Sequence, residues 1–543
     1  METTALQGAI SAREEFFYPD THLSDLPDHL RVVLPRNGRP GIQLLLKTDE
    51  PLSLACESPL FTAEWYRMRP IPVEYNTGDG EDQGGAMVLQ TPPAQKPAYA
   101  TRLAPFTVYD CLEPITHTLV PEQRLAALYL CLVPRADIPA GEHTILLRVG
   151  GYTCRIEAKV YDVLIPAEPF PVSNWFSLEA IARCHNLQPD TPAYYAMVRR
   201  YAAAMRRTHQ TFFYLELDDR CVVSRDPYTF DFSYLEPVIR CFFEEGFSTI
   251  EIGPLLSRGF LASGMPDMYT YRFTCAMVPD LPIDSPEGYA VTVRYVQALA
   301  AFLQAHGWEK QVVFHIHDEP DIHCPPEALP SRKRQYYLAA SILRRYLPGV
   351  RVIEAVSTPE FRGGVDIWVP GTPGYEAHKA EFDRLTALGE EVWTYVCCGP
   401  EGHWLNRFLD FAVLKGRLLF WGCASNRIAG FLHWGFNQFP GGMDPFRGTS
   451  CPNHTGIGTA FPCGDSFLVY PGTDGPWPGM RMEAQRRGAE DAGLLRMLRQ
   501  RDEAAHDALV ARVFRSNADY DDDPVLFASV YEELLKTLEE AKQ

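Results

Sequence analysis

The sequence predicts two folds in series. An antiparallel, immunoglobulin-like β-sandwich comes first, and a (β/α)8 barrel of the TIM type with a helical C-terminal extension follows. Three observations predict this. The chain has 543 residues, more than one ordinary domain holds. Up to Pro166 it reads as short apolar runs divided by turn residues, with little helical periodicity. After Pro166, strand-length apolar runs alternate with longer helical patterns, and eight such runs can be counted. The expected boundaries are 1–168 for the sandwich, 169–500 for the barrel and 501–543 for the extension.

In the first part, GIQLLL (Gly41 to Leu46), RLAALYLCLV (Arg124 to Val133) and HTILLRV (His143 to Val149) read as strands. Turns are expected at Asn76 to Gly80 and at Pro139-Ala140-Gly141, the second feeding a final strand. The barrel strands are expected in VSNWFSL (Val172 to Leu178), TFFYLEL (Thr211 to Leu217), STIEIG (Ser248 to Gly253) and VVFHIH (Val312 to His317). The series continues with RVIEAV (Arg351 to Val356), VDIWVP (Val365 to Pro370), EVWTYV (Glu391 to Val396) and IAGFLHW (Ile428 to Trp434). One intervening helix has readable ends, with Ser285-Pro286 at its start and Gly307 after its last turn. In the tail, Asp523-Pro524 opens a helix with Phe527, Val530, Leu534 and Leu538 inward.

Composition narrows the function. An apolar fraction of 46% with nine Trp supplies a large core. Aromatics at 12% suit stacking on sugar rings. A net charge of −19 without a basic run argues against nucleic acid and anionic membrane as partners. No apolar run approaches membrane-spanning length. The first twenty residues lack a basic stretch followed by an apolar one, so no secretory signal is expected. Fourteen scattered Cys, with Cys397 and Cys398 adjacent, point to free thiols in a reducing cytoplasm.

The chemistry is expected in VVFHIHDEP. The fourth barrel strand ends at Asp318 and Glu319, because Pro320 cannot donate to a ladder. The C-terminal end of a barrel strand faces the active-site mouth. Two carboxylates there point to acid/base work on a glycosidic bond. Adjacent carboxylates repel, which raises one pKa and keeps one acid protonated near neutral pH. His315 and His317 alternate along the same run, so a metal-dependent hydrolase is an alternative; pocket-lining histidines without metal are preferred, and no cofactor is expected. A carbohydrate-binding protein without turnover is a third reading. Trp175, Trp368, Trp393, Tyr395 and Trp434 stand near the expected strand ends as sugar platforms. Glu401, after the seventh strand, is the candidate for a separate nucleophile or substrate contact. Glu216 and Glu251, inside the second and third strands, are candidates to face the lumen and bind hydroxyls.

HIHDEP resembles the catalytic strand of glycoside hydrolase family 123, the β-N-acetylgalactosaminidases. The run from Gly464 to Leu495 resembles that family's C-terminal signature, through Gly464-Asp465, Tyr470-Pro471-Gly472, Arg481 with Glu483, and Arg487-Gly488 with Glu490-Asp491. The resemblance implies a retaining, exo-acting enzyme on a terminal 2-acetamido sugar of an oligosaccharide. It implies substrate assistance, in which the acetamido oxygen is the nucleophile, Asp318 orients it and Glu319 is the acid/base. From position alone, Tyr395 is expected to hydrogen-bond the acetamido oxygen, and His317, as a pocket-lining histidine, is a candidate substrate contact. Family members are often exported, and an aromatic often follows the last signature element, where Ala492-Gly493 stand in this chain.

Overall fold

The structure is a computed structural model and describes residues 6–80, 87–453, 455 and 460–541. Its N-terminal part is two packed sheets. One runs in the order Ser24–Asp25, Gln7–Ser11, Gly41–Lys47, Leu125–Pro134, Phe61–Val73, Phe106–Ile115, antiparallel throughout. The other runs His29–Pro35, Tyr152–Tyr161, Gly141–Val149, Leu52–Glu57, Thr118–Leu119, with only the first pair parallel. Successive side chains of a strand point to opposite faces. Leu44, Leu46, Leu128 and Leu130 therefore fill the space between the sheets, while Leu45 and Tyr129 face Tyr470 and Met480 of the C-terminal part. Both faces are covered, which is why these strands read as continuous apolar runs.

Two expectations for this region change. The last sandwich strand is Tyr152–Tyr161, one hairpin beyond Gly141–Val149. It alternates buried and exposed residues, so it lacks the apolar run used to find the others. The Asn76 to Gly80 segment is not a surface turn. Asn76 and Thr77 are buried, and Thr77 donates to Asp410 through its amide (2.8 Å) and its hydroxyl (2.7 Å).

All eight expected barrel strands are present. They are β1 (Val172–Asn174), β2 (Phe212–Glu216), β3 (Thr249–Gly253), β4 (Val312–Phe314), β5 (Arg351–Val356), β6 (Ile367–Pro370), β7 in two pieces (Glu391–Val392 and Thr394–Tyr395) and β8 (Phe431–His433). Every pairing between them is parallel. Six-stranded and three-stranded arcs meet in β7, on either side of Trp393. Among the described residues no ladder joins β1 to β2. There Asn174 Nδ2 donates to Gln210 Oε1, and Gln210 Nε2 to the Asn174 carbonyl, both at 3.0 Å. The strands thus form two parallel arcs, and side-chain hydrogen bonds link β1 to the segment just before β2.

Helices α1 (Leu178–Cys184) and α2 (Pro192–Arg207) follow β1, α3 (Glu236–Glu244) follows β2, α4 (Pro286–His306) follows β3, and α5 (Leu329–Tyr346) follows β4. The Ser285 hydroxyl caps α4 by accepting the Gly288 amide, and Gly307 ends it at φ +72°. The β5 to β6 connection holds a single 3-10 turn, Pro359–Phe361, in place of an α-helix. Helices α6 (Thr372–Ala377) and α7 (Lys379–Ala387) follow β6, and α8 (Leu414–Ser425) follows β7. After β8 come α9 (Met480–Arg501), α10 (Glu503–Val510) and α11 (Pro524–Glu540). In α11 the four expected apolar residues are buried. Among the described residues no helix is long and apolar enough to cross a membrane.

The C-terminal signature is largely a buried ion-pair network. Arg481 pairs with Asp110 of the sandwich at 3.1 Å, and the Tyr470 hydroxyl donates to the same carboxylate at 2.6 Å. Arg487 pairs with Glu14 at 2.5 Å. Glu483 lies between Arg207 (2.8 Å) and Arg486 (3.0 Å). Glu490 takes Arg486 at 2.6 Å, and Asp491 takes Arg417 at 2.7 Å. Burial alone would raise the Glu483 carboxyl, but Arg207, Arg486 and Arg487 hold it far below the usual range.

Candidate active site

Strand β4 stays in its ladder only over Val312–Phe314, so His315 to Pro320 runs out at the C-terminal end of the strands. A cavity of about 780 Å³ opens there. Asp318, Glu319, Trp175, Tyr214, Tyr395 and Trp434 all line it. The chain around the two acids is held from both sides. Glu354 accepts the amides of Ile316 (3.0 Å) and His317 (3.1 Å). Arg258 donates to the Glu319 carbonyl at 2.5 Å, and Arg332 to the carbonyls of Pro320 and Ile322 at 3.1 Å. Glu319 sits at φ +52°. A non-glycine residue held there costs on the order of 1–3 kcal/mol and persists only where its surroundings impose it. The two arginines and Glu354 impose it.

The Tyr395 hydroxyl donates to the Glu319 carboxylate. Asp318 is exposed at the cavity with protein packed closely around its backbone. The surrounding protein, then the Glu319 carboxylate, push its pKa up to about 7. Asp321 caps the end of β5, accepting the amides of Ser357 (2.9 Å) and Thr358 (2.8 Å). Glu216 also lines the cavity, and burial raises its pKa.

Beneath the acids, His315 bridges two carboxylates. Its Nε2 is 2.7 Å from Glu251 and its Nδ1 3.2 Å from Glu354. Burial would keep the ring neutral, but the bonds to Glu251 and Glu354 overcome it and push the pKa up to about 10. Glu251 also accepts Trp175 Nε1 at 2.6 Å, and Trp175 stacks on Tyr214 at 4.2 Å with 19° between the rings. At the end of the adjacent strand β8, Trp434 Nε1 donates to Asp465 at 3.0 Å. Asp465 of the signature therefore orients a cavity aromatic.

Several expected site residues lie elsewhere. Trp368 is buried outside the cavity lining, bonded to Glu390 at 2.6 Å and edge-on to Phe382. Trp393 is buried against Phe212 and bonded to Glu391. Each belongs to core packing. Glu401 is bonded to the Gly80 amide at 3.2 Å and does not line the cavity. His317 lies against Phe273, ring centroids 4.1 Å apart, and not in the lining. His315 and His317 do not share a face, because the pleat has ended before them. Both nitrogens of His315 face carboxylates, and among the described residues no three His, Cys, Asp or Glu converge as a metal site.

Tyr214, Arg258, Asp321 and the orienting role of Asp465 were not expected. Glu354 was missed although its signal matches that of Glu251. In RVIEAV, as in STIEIG, one acid interrupts a buried apolar strand.

Residues 175–498 match the model of the family described as Glycoside hydrolase 123, catalytic domain. In three dimensions the chain resembles a family 123 glycoside hydrolase from Clostridium perfringens, studied for glycolipid glycan hydrolysis. The TM-score is 0.68 at 12% identity, over 99% of this chain and 98% of that one. A family 39 glycoside hydrolase from Bacteroides cellulosilyticus WH2 gives a TM-score of 0.37 at 12% identity, over 86% and 82% of the two chains. A β-galactosidase from Marinomonas ef1 gives 0.38 at 12% identity, over 63% and 62%. No curated protein matches the sequence.

Proposed function

The chain belongs to glycoside hydrolase family 123 and is a glycosidase, and from that premise we propose that it is a retaining, exo-acting β-N-acetylgalactosaminidase working by substrate assistance. The observation that carries this reading is the adjacent pair at the end of β4. Asp318 and Glu319 both line the cavity, and Glu319 is bonded to Tyr395. Glu401, the acid expected as a separate nucleophile, is bonded to Gly80 outside that lining.

In this mechanism Asp318 as carboxylate accepts the acetamido N–H and turns the acetamido oxygen toward C1. That oxygen forms a bond to C1 as the glycosidic bond breaks, and Glu319 gives its proton to the leaving oxygen. Glu319 then takes a proton from water, which opens the cyclic intermediate with net retention. Trp175, stacked on Tyr214, and Trp434 offer flat apolar faces to the sugar ring, and Glu216 accepts from a hydroxyl. Loss of the Asp318 charge stops the N–H contact, so activity falls as the pH drops through its pKa. The catalytic machinery is assigned to 169–500, between the sandwich and the helical extension. The neighbouring thiols of Cys397 and Cys398, Sγ atoms 3.8 Å apart in the cavity wall, fit a reducing cytoplasm.

A panel of nitrophenyl β-glycosides with and without the 2-acetamido group tests the reading. Turnover confined to 2-acetamido sugars, fastest for the galacto epimer, is expected. Equal turnover of the matching 2-hydroxy glycoside would refute it.

A further inference from the structure

We propose that His315, clamped between Glu251 and Glu354, is a positioning residue that holds a cation beneath the acid pair and ties the cavity platform to it. The proposal rests on Asp318 and Glu319 being the reacting pair.

The hydrogen-bond donors fix the charge state. Glu251 accepts from the Ser173 hydroxyl (2.5 Å), Trp175 Nε1 (2.6 Å) and His315 Nε2 (2.7 Å). Glu354 accepts from the Ile316 amide, the His317 amide and the Tyr336 hydroxyl, all on Oε2, and faces His315 Nδ1 with Oε1. An ionised carboxylate only accepts hydrogen bonds. Donors occupy both oxygens of Glu251 and Oε2 of Glu354, so the two acids turn carboxylate lone pairs to the imidazole, and a proton on each ring nitrogen completes both bonds; burial, which raises the Glu354 pKa, works against this charge and the His315 contact works for it. The three side chains come from β3, β5 and the end of β4, and all are buried. Gly253 makes the close approach possible, because a Cβ there would stand 2.5 Å from the His315 carbonyl.

Two connections leave this strut. Through Glu354 it holds the two amides just before Asp318. Through Glu251 it holds Trp175, which stacks on Tyr214. Asp318 feels charges from Glu319 beside it, Arg258 from the loop after β3, His315 below and Glu354 of β5, and the neutral phenols of Tyr214 and Tyr395 also face it. Among these, His315 and Arg258 favour its ionised form, while Glu319 and Glu354 oppose it.

Opposite substitutions must then act with opposite signs. His315→Asn removes a cation and should move the acid limb of kcat/KM to higher pH, by about half a unit or more. Glu354→Gln removes an anion and should move it to lower pH. Both should lower kcat, with circular dichroism confirming the fold. A purely structural role would lower activity at all pH values and leave the limb in place, and that result, or shifts in the same direction, would overturn the proposal. Should neither variant fold, the wild-type chain labelled with 15N-histidine decides. One histidine protonated on both nitrogens at pH 8 is expected, and its absence overturns the proposal. Failure of the underlying reading shows separately, as full activity in Glu319→Gln.

Discussion

The hydroxyl of Tyr395, at the end of β7, donates to the carboxylate of Glu319, just beyond β4. This bond crosses the cavity and fixes an acid whose backbone is already constrained by Arg258 and Arg332. The buried phenol is pushed well above its ordinary pKa, by burial first and then by the Glu319 charge, so it remains a donor over the working range. A glycosidase needs such an acid aimed before substrate arrives, since misplacement of a reacting group costs rate steeply.

Glu319→Gln should therefore reduce turnover of poor leaving groups by ~10²–10⁴-fold while the fold is kept. Substrates with very acidic leaving groups need little protonation and should lose less. Steady-state rates across a series of substituted phenyl glycosides check this. Equal losses across the series would mean that Glu319 does something other than protonate.

Asp318→Asn should lower turnover strongly, because an amide cannot replace the carboxylate acceptor. Glu401→Gln should be mild, since Glu401 meets Gly80 and not the cavity. A thiazoline analogue of the sugar should inhibit, as a mimic of the cyclised intermediate. A dead Glu401→Gln together with brisk hydrolysis of the 2-hydroxy glycoside would point to a protein nucleophile.

The raised pKa of Asp318 also has a cost in stability. In the native state it is pushed up to about 7, whereas unfolded it titrates near 4, by the ordinary aspartate value of about 3.9. Between these values the native chain holds a proton that the unfolded chain has released, so stability falls as pH rises through that window. Asp318→Asn removes the effect. The melting temperature of the variant relative to wild type should rise from pH 4 to pH 7.5; a constant difference would contradict the assignment.

Arg481→Met should be severely destabilising although it lies outside the cavity lining. It strands the fully buried carboxylate of Asp110, and breaking one partner of a buried pair costs about 3–5 kcal/mol. Denaturant melts of the variant and of Arg481→Met/Asp110→Leu give the check. The double variant should recover much of the loss.

Thiol reagents offer a fifth test. Cys397 and Cys398 line the cavity, and the Cys398 thiol is pushed far up by its bond to Cys397 and by burial. Inactivation by a small methanethiosulfonate should be slow at pH 7 and faster with rising pH. Substrate should protect, and a Cys397→Ser/Cys398→Ser chain should resist. Full activity after both thiols are modified would show that this wall tolerates bulk.

Strand positions were legible because buried parallel strands leave apolar runs with turn residues between them, and all eight barrel runs fell where expected. Asp318 and Glu319 were legible because Pro320 marks the strand end. What escaped was direction. Trp368 and Trp393 lie in strands near the mouth, yet their rings turn into the packing, and a tryptophan in an apolar run reads the same either way. His315 and His317 were paired by pleat alternation that had already ceased after Phe314. The signature around Arg481 and Glu483 was legible as a pattern, but its physical role, anchoring, depends on partners such as Asp110 and Arg207 hundreds of residues away.

The anchoring pattern bears on how this enzyme can be divided. Asp110 and Glu14, which neutralise Arg481, Arg487 and Arg417, are all on the sandwich side of Pro166, as is Glu64, which meets Arg207 at 2.7 Å. A fragment starting at residue 169 would leave Arg481 without its anion and would strip Arg487, Arg417 and Arg207 of one anionic partner each, leaving them Glu483 or Asp491 alone. It would also lose Asn76 and Thr77, the partners of Asp410. The sandwich is thus half of one electrostatic unit, and a shuffled or truncated enzyme must exchange both halves together.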